Sequence, residues 1–260
     1  LMTSDADFLN SVLDDHEPTI GQIESMNRLR RDIEKLIKTE CPKYEKCIIA
    51  GSYVKKTLIK DCYDLDIVFV WPSYLDLKDL FKKLGGVLSL KWSNIIIKNV
   101  AWRILYTNTF HVDVIPAKCS KKNEILYLFS HKTRNYVKTN INLHLSEVNR
   151  WKRKDIIKLL KLWKCRKKVP IKTFTLEQII HKSCRGLKRR PLAPQLDAVF
   201  NFLYNNILDL ELRDPANDTN IITYDLDSNE RKQIRRAAEN ALNRDYWGQI
   251  FQKNRSNPLY

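Results

Sequence analysis

The sequence predicts an α+β fold, with a mixed-sheet lobe in residues 1–146 and a helical lobe in residues 147–260. Three observations predict it. Short runs rich in β-branched and aromatic residues, at 46–50, 65–71, 95–100, 102–106 and 109–115, crowd the first half. Past Glu147 the apolar residues recur at helical spacing instead. Acids interrupt or head the apolar runs of the first half, Asp66 before Ile67-Val68-Phe69-Val70 and Asp113 between Val112 and Val114, which places carboxylates at strand positions.

Residues 17–40 read as a long helix. Pro18 precedes Thr19-Ile20-Gly21-Gln22, a capping box, and Ile20, Ile23, Met26, Leu29, Ile33, Leu36 and Ile37 follow at helical spacing until Cys41-Pro42 stops them. The run 46–50 is the strand that delivers a Gly51-Ser52 turn, and 65–71 is the next strand, ended by Pro72. A short amphipathic helix over 75–84 is followed by Gly85-Gly86. Thr107-Asn108 is a tight turn between the last two β-rich runs. From 120 to 149 the signal weakens, and basic residues such as Lys132, Arg134 and Lys138 read as loop or channel wall.

In the second half, 150–168 is a helix with Trp151, Ile156, Leu159, Leu160 and Trp163 on one face and Lys154, Lys158 and Lys161 beside it. Thr175-Leu176-Glu177-Gln178 is a second capping box opening a helix that runs to Ser183. A basic loop at 185–190, Pro191 and Pro194 precede an amphipathic helix over 196–208. Asp214-Pro215-Ala216-Asn217 is a turn-rich loop, and 227–243 a last helix whose Arg231, Lys232, Arg235 and Arg236 are either solvent-facing or part of a nucleic-acid groove.

Composition narrows the function class. Lys and Arg number 46 against 30 Asp and Glu, a formal charge of +16, which favours polyanionic partners, whether triphosphates alone or a nucleic acid too. Hydrophobic content of 43% is that of a soluble globular protein, and no apolar run is long enough to span a membrane. Acids at Asp5, Asp7, Asp14 and Asp15 are unlike a signal peptide, so the expected location is cytoplasmic. Six cysteines without a C-x-x-C pair argue against a zinc knuckle or a disulfide scaffold.

The chemistry concentrates between Gly51 and Asp66. Asp64 and Asp66, spaced i, i+2, point to one face of a strand, and paired carboxylates suit hard divalent cations. Mg2+ in particular takes one or two carboxylates and completes its shell with phosphate and water. The Gly51-Ser52 turn offers a hydroxyl and bare N–H groups to a phosphate. A two-metal clamp needs a third acid, and Asp113 in the second apolar strand is the candidate. Taken singly, a Gly-Ser pair or a D-x-D is weak, and Asp61 and Asp64 are also ordinary turn residues. In combination, Gly51-Ser52, Thr57, Asp64-Leu65-Asp66 and Asp113, in that order, are specific.

That combination resembles the polymerase β-type nucleotidyltransferase superfamily. Within it the chain is similar to the branch holding oligoadenylate synthetase, cyclic GMP-AMP synthase and the bacterial CD-NTases. Phe110-His111-Val112-Asp113-Val114-Ile115-Pro116-Ala117, the segments at 158–163 and 172–177, and the one at 214–220 support the narrower match. The resemblance implies a nucleotidyltransferase fold in which a long N-terminal spine helix joins the two lobes. It implies two Mg2+ ions, with Mn2+ as a substitute, on Asp64, Asp66 and Asp113. It assigns Ser52 and the Gly51 backbone to the β- and γ-phosphates, Thr57 to ordering the loop, Lys161 to the donor triphosphate with Lys158 a second candidate, and Thr173 to the nucleotide. The implied activity joins NTPs, ATP or GTP foremost, into a short cyclic or linear second-messenger oligonucleotide with release of pyrophosphate, for antiviral signalling. The expected state is a monomer, with double-stranded or structured RNA a further partner for the basic surface. Two alternatives stay open: an RNA-tailing transferase of the CCA-adding or poly(A) type, and a non-catalytic nucleic-acid-binding module. The acidic set counts against the second, because carboxylates repel a phosphate chain unless cations occupy them.

Overall fold

A computed structural model describes residues 4–120 and 124–252. The described chain divides into two compact units, one of residues 18–147 and 215–217, the other of 4–17, 148–214 and 218–252. Residues 4–17 are grouped with the helical unit and 215–217 with the sheet unit.

In chain order, α1 (Asp5–Asp15) precedes α2 (Ile20–Glu40), β1 (Lys46–Ala50), α3 (Gly51–Lys55), β2 (Tyr63–Trp71) and α4 (Leu77–Ser89). Strands β3 (Ile95–Ile97), β4 (Trp102–Leu105), β5 (Phe110–Cys119), β6 (Leu126–Phe129) and β7 (Tyr136–Thr139) complete the main sheet. The helices α5 (Ile141–Trp151), α6 (Lys154–Arg166), α7 (Thr173–Ser183) and α8 (Ala193–Asn206) follow. The chain then forms a small hairpin of β8 (Arg213–Asp214) and β9 (Asn217–Ile221), α9 (Ser228–Leu242) and the single turn α10 (Gly248–Phe251).

The sheet has seven strands in the order β1-β2-β5-β4-β3, with β6 added to β5 and β7 to β6. Only β2 and β5 run parallel; the other pairs are antiparallel. The two faces divide the core. Leu65, Ile67, Phe69 and Trp71 of β2 join Val112 and Val114 of β5 and Ile104 of β4, and these pack with Met26, Leu29, Ile33 and Ile37 of α2 and Leu77, Phe81, Leu84 and Leu88 of α4. The opposite face carries a smaller cluster of Ala50, Val68, Val70, Ala117, Leu126 and Leu128.

The capping box read at Thr19 is present: the hydroxyl accepts from Gln22 N while Gln22 Oε1 accepts from Thr19 N. The helix begins there, and a separate helix, α1, precedes it with Leu9, Val12 and Leu13 buried. Gly85 and Gly86 do not end α4; both lie inside it, and a Cβ on Gly85 would meet the Trp102 ring at 2.3 Å. The stretch 120–149, read as loop, holds β6, β7 and most of α5. Its strands are four residues each and lie among polar and basic residues such as Lys132, Arg134 and Lys138, which give the stretch its loop-like character. The single helix read over 150–168 is two, broken at Lys152, whose φ of 54° is left-handed. Thr175 is not a cap: α7 starts at Thr173, and Thr175 lies buried within it, lining a cavity of about 310 Å³ with Lys164 and Lys172. Among the described residues no helix is long and apolar enough to cross a membrane.

Candidate active site

Strand register gathers the site. Asp66 stands opposite Ala50 of β1 and opposite Asp113 of β5; Asp64 stands opposite His111; Arg103 of β4 stands opposite Asp113. Directly paired residues share a face, and so do residues two apart on one strand. Asp64, Asp66, His111, Asp113 and Arg103 therefore emerge together, on the face turned away from the core of α2 and α4.

The turn after β1 closes over the acids. Gly51 adopts φ +66°, and a Cβ built on it would lie 1.8 Å from Asp66 Oδ2. No other residue type fits both the conformation and the contact. Ser52 Oγ donates to Asp64 Oδ1 at 2.9 Å, and the backbone N–H of Thr57 donates to Ser52 O at 3.0 Å. Ser52, Lys55 and Thr57 are buried, so α3 and the residues after it form a packed cradle.

Burial, then the charges of Asp64 and Asp113, hold the Asp66 carboxyl well above the usual carboxylate range, while Lys55 and Arg103 pull it back. At Arg103 burial works against the charge, but the hydrogen bond and charge of Asp113, with Asp64 and Asp66 behind them, outweigh it and keep the guanidinium above its ordinary value. Burial, followed by the positive charge of Arg103, pulls His111 below its ordinary value. Its Nε2 is buried without a hydrogen-bond partner.

As they stand, no three His, Cys, Asp or Glu side chains among the described residues are arranged to hold a metal ion. Both Asp113 oxygens accept from Arg103, at 2.7 Å each, and Asp64 Oδ1 accepts from Ser52. The donor chemistry nevertheless fits a hard cation. Three carboxylates share one face, and Asp66 is destabilised as an anion by burial and then by its acidic neighbours, a penalty that a cation on these oxygens would relieve.

The remaining residues picked from the sequence lie in the helical unit. Lys158 is ion-paired with Glu17. Lys161 is buried on α6. Thr173 is the first residue of α7, its hydroxyl 3.5 Å from Lys164 Nζ. Lys55, Arg103 and His111 join the site without a motif in the sequence that assigns them to it. A lone arginine within Trp102-Arg103-Ile104-Leu105 was a signal, since a charged residue inside a β-rich run demands a partner.

No protein-family model matches the chain, and no curated protein sequence matches it. Solved structures do resemble it. The CdnC of E. coli MS115-1, solved with ATP, superposes with a TM-score of 0.73 at 20% identity, covering 95% of this chain and 98% of its own. The CD-NTase CdnG of Bradyrhizobium diazoefficiens, solved with GTP, gives 0.72 at 15% identity over 92% of this chain and 90% of its own. The CdnE cyclic dinucleotide synthase of Elizabethkingia meningoseptica, solved with GTP and Apcpp, gives 0.64 at 14% identity over 95% and 99%. The chain thus has the fold that these CD-NTase structures share, and the acids and their Gly-Ser turn sit on it.

Proposed function

We propose that the chain is a metal-dependent nucleotidyltransferase that joins NTPs into a short cyclic or linear second-messenger oligonucleotide and releases pyrophosphate. The observation that carries this reading is the convergence of Asp64, Asp66 and Asp113 on one sheet face beneath the Gly51-Ser52 turn. Coverage of nearly the whole length of nucleotide-bound CD-NTases supports it.

Asp64 and Asp66 would hold two Mg2+ ions jointly, and Asp113 the one nearer the attacking hydroxyl. When bound, the ions supply Lewis-acid activation of that hydroxyl and neutralise charge on the leaving pyrophosphate. Asp113 accepts the proton of the attacking hydroxyl as general base. Ser52 Oγ, now donating to Asp64, turns its hydroxyl and the neighbouring backbone to the β- and γ-phosphates. Gly51, by admitting the backbone to Asp66, keeps that carboxylate beneath the turn. On the resemblance alone we extend the proposal to Lys161 as a point charge for the triphosphate, with Thr57 ordering the loop, and to antiviral signalling as the messenger's use.

Purified protein incubated with each labelled NTP and with all four, Mg2+ present and no primer, tests the reading by mass analysis. Small oligonucleotides with matching pyrophosphate are expected. Product formed only when RNA is added would move the assignment to an RNA-tailing transferase, and no incorporation under either condition would refute the enzyme.

A further inference from the structure

Arg103 Nε and Nη2 donate to Asp113 Oδ1 and Oδ2, both at 2.7 Å. The two-pronged contact uses a lone pair on each oxygen of the third acid. The side chains are 24% and 15% exposed, so water screens the pair only in part. Because Arg103 and Asp113 are directly opposed across β4 and β5, the contact is built into the sheet rather than formed by a chance swing of a long side chain.

We propose that Arg103 is the positioning residue of the acidic site: it holds Asp113 in the ion-free protein and yields it only in competition with a divalent cation, and so sets how tightly the site takes that cation. The inference rests on the reading of the three acids as metal ligands.

The physical case is a balance of charges. Three carboxylates on one face repel one another, and an unpaired Asp113 would add to that repulsion or turn aside. The Arg103 fork compensates it and keeps it aimed at the shared face. A cation arriving at Asp113 meets oxygens already engaged, and gains only the difference between its own attraction and that of the fork. Removing the guanidinium leaves Asp113 uncompensated in the empty protein and its oxygens open. The empty protein should lose stability while its cation affinity rises. A merely structural arginine would produce the first effect without the second, and a phosphate-binding arginine would weaken triphosphate binding while leaving cation affinity unchanged.

The test is titration of the full chain with Mn2+, with and without a non-hydrolysable triphosphate, for wild type, Arg103→Met, Arg103→Lys and the Asp64→Ala/Asp66→Ala pair. Arg103→Met is expected to bind Mn2+ about tenfold tighter than wild type without nucleotide, to melt lower in EDTA, and to gain a larger thermal shift from Mn2+. Arg103→Lys, which keeps the charge and loses the fork, should fall between. Should the methionine variant not fold, the lysine variant decides: tighter binding than wild type supports the inference, and equal or weaker binding overturns it. Equal or weaker binding in Arg103→Met, with wild-type binding still lost in the double alanine variant, would sink the role of Arg103 alone. Absence of any Mn2+ binding that depends on Asp64 and Asp66, even with triphosphate, would take the metal reading down with it.

Discussion

Gly51 approaches Asp66 so closely that a methyl group on its Cα would stand 1.8 Å from the carboxylate oxygen Oδ2. The turn and the acid are one unit, and the glycine is required twice, for its φ of +66° and for the missing side chain. Gly51→Ala should leave the sheet core formed, since its cluster lies on the other face. It should cut nucleotide incorporation about a hundredfold by displacing Asp66, the scale expected when a reacting group moves by an ångström. Pyrophosphate release assays beside circular dichroism check both halves. Wild-type activity in the alanine variant would show that the turn does not govern the acid.

Asp66→Ala or Asp113→Ala should each remove about 3 kcal/mol or more of transition-state stabilisation, a loss of roughly a hundredfold or greater in rate, with the fold intact. Persistent Mg2+-dependent pyrophosphate release from the Asp64→Ala/Asp66→Ala protein would end the assignment.

Ionised Asp66 should lower the stability of the ion-free protein. Its folded carboxyl is held above the unfolded value, chiefly by burial and then by Asp64 and Asp113. A raised folded pKa means stability fully present below the unfolded value of 3.8, eroding above it and lost once pH passes the folded value. Asp66→Asn should therefore melt higher than wild type at neutral pH in EDTA. The gap should narrow as pH falls toward 3.8 and narrow again when Mg2+ is added to wild type. A variant that melts lower than wild type at pH 7 would contradict this account.

The basic residues of α9 should separate by role. Arg231 donates to the carbonyls of Ile207, Leu208, Leu210, Thr223 and Leu226, so it clamps the chain on either side of the β8–β9 hairpin. Arg231→Ala should cost about 2–4 kcal/mol, because several partly buried carbonyls lose their donor. Lys232 and Arg236 are exposed, and their alanine variants should change stability by no more than about 0.5 kcal/mol. Denaturant unfolding of the three variants measures the contrast. Of the two roles read for these side chains from sequence, decoration or groove, Arg231 does not fill the first, since its guanidinium is taken up by backbone carbonyls.

What the sequence determined by itself was local. Period-two spacing put Asp64 and Asp66 on one face, helical spacing and the Thr19 capping box placed α2, and the order Gly51-Ser52, Asp64-Leu65-Asp66 and Asp113 carried the resemblance to the polymerase β-type nucleotidyltransferases. Only tertiary structure decided the register that sets Asp66 beside Asp113, the pairing of Arg103 with that same acid, the grouping of α1 with the helical unit, and the strands hidden in 120–149. Side-chain parity follows from the backbone of one strand, whereas register depends on which distant strands bury their apolar faces together, and a slip by one residue would have sent Asp113 to the opposite side of the sheet.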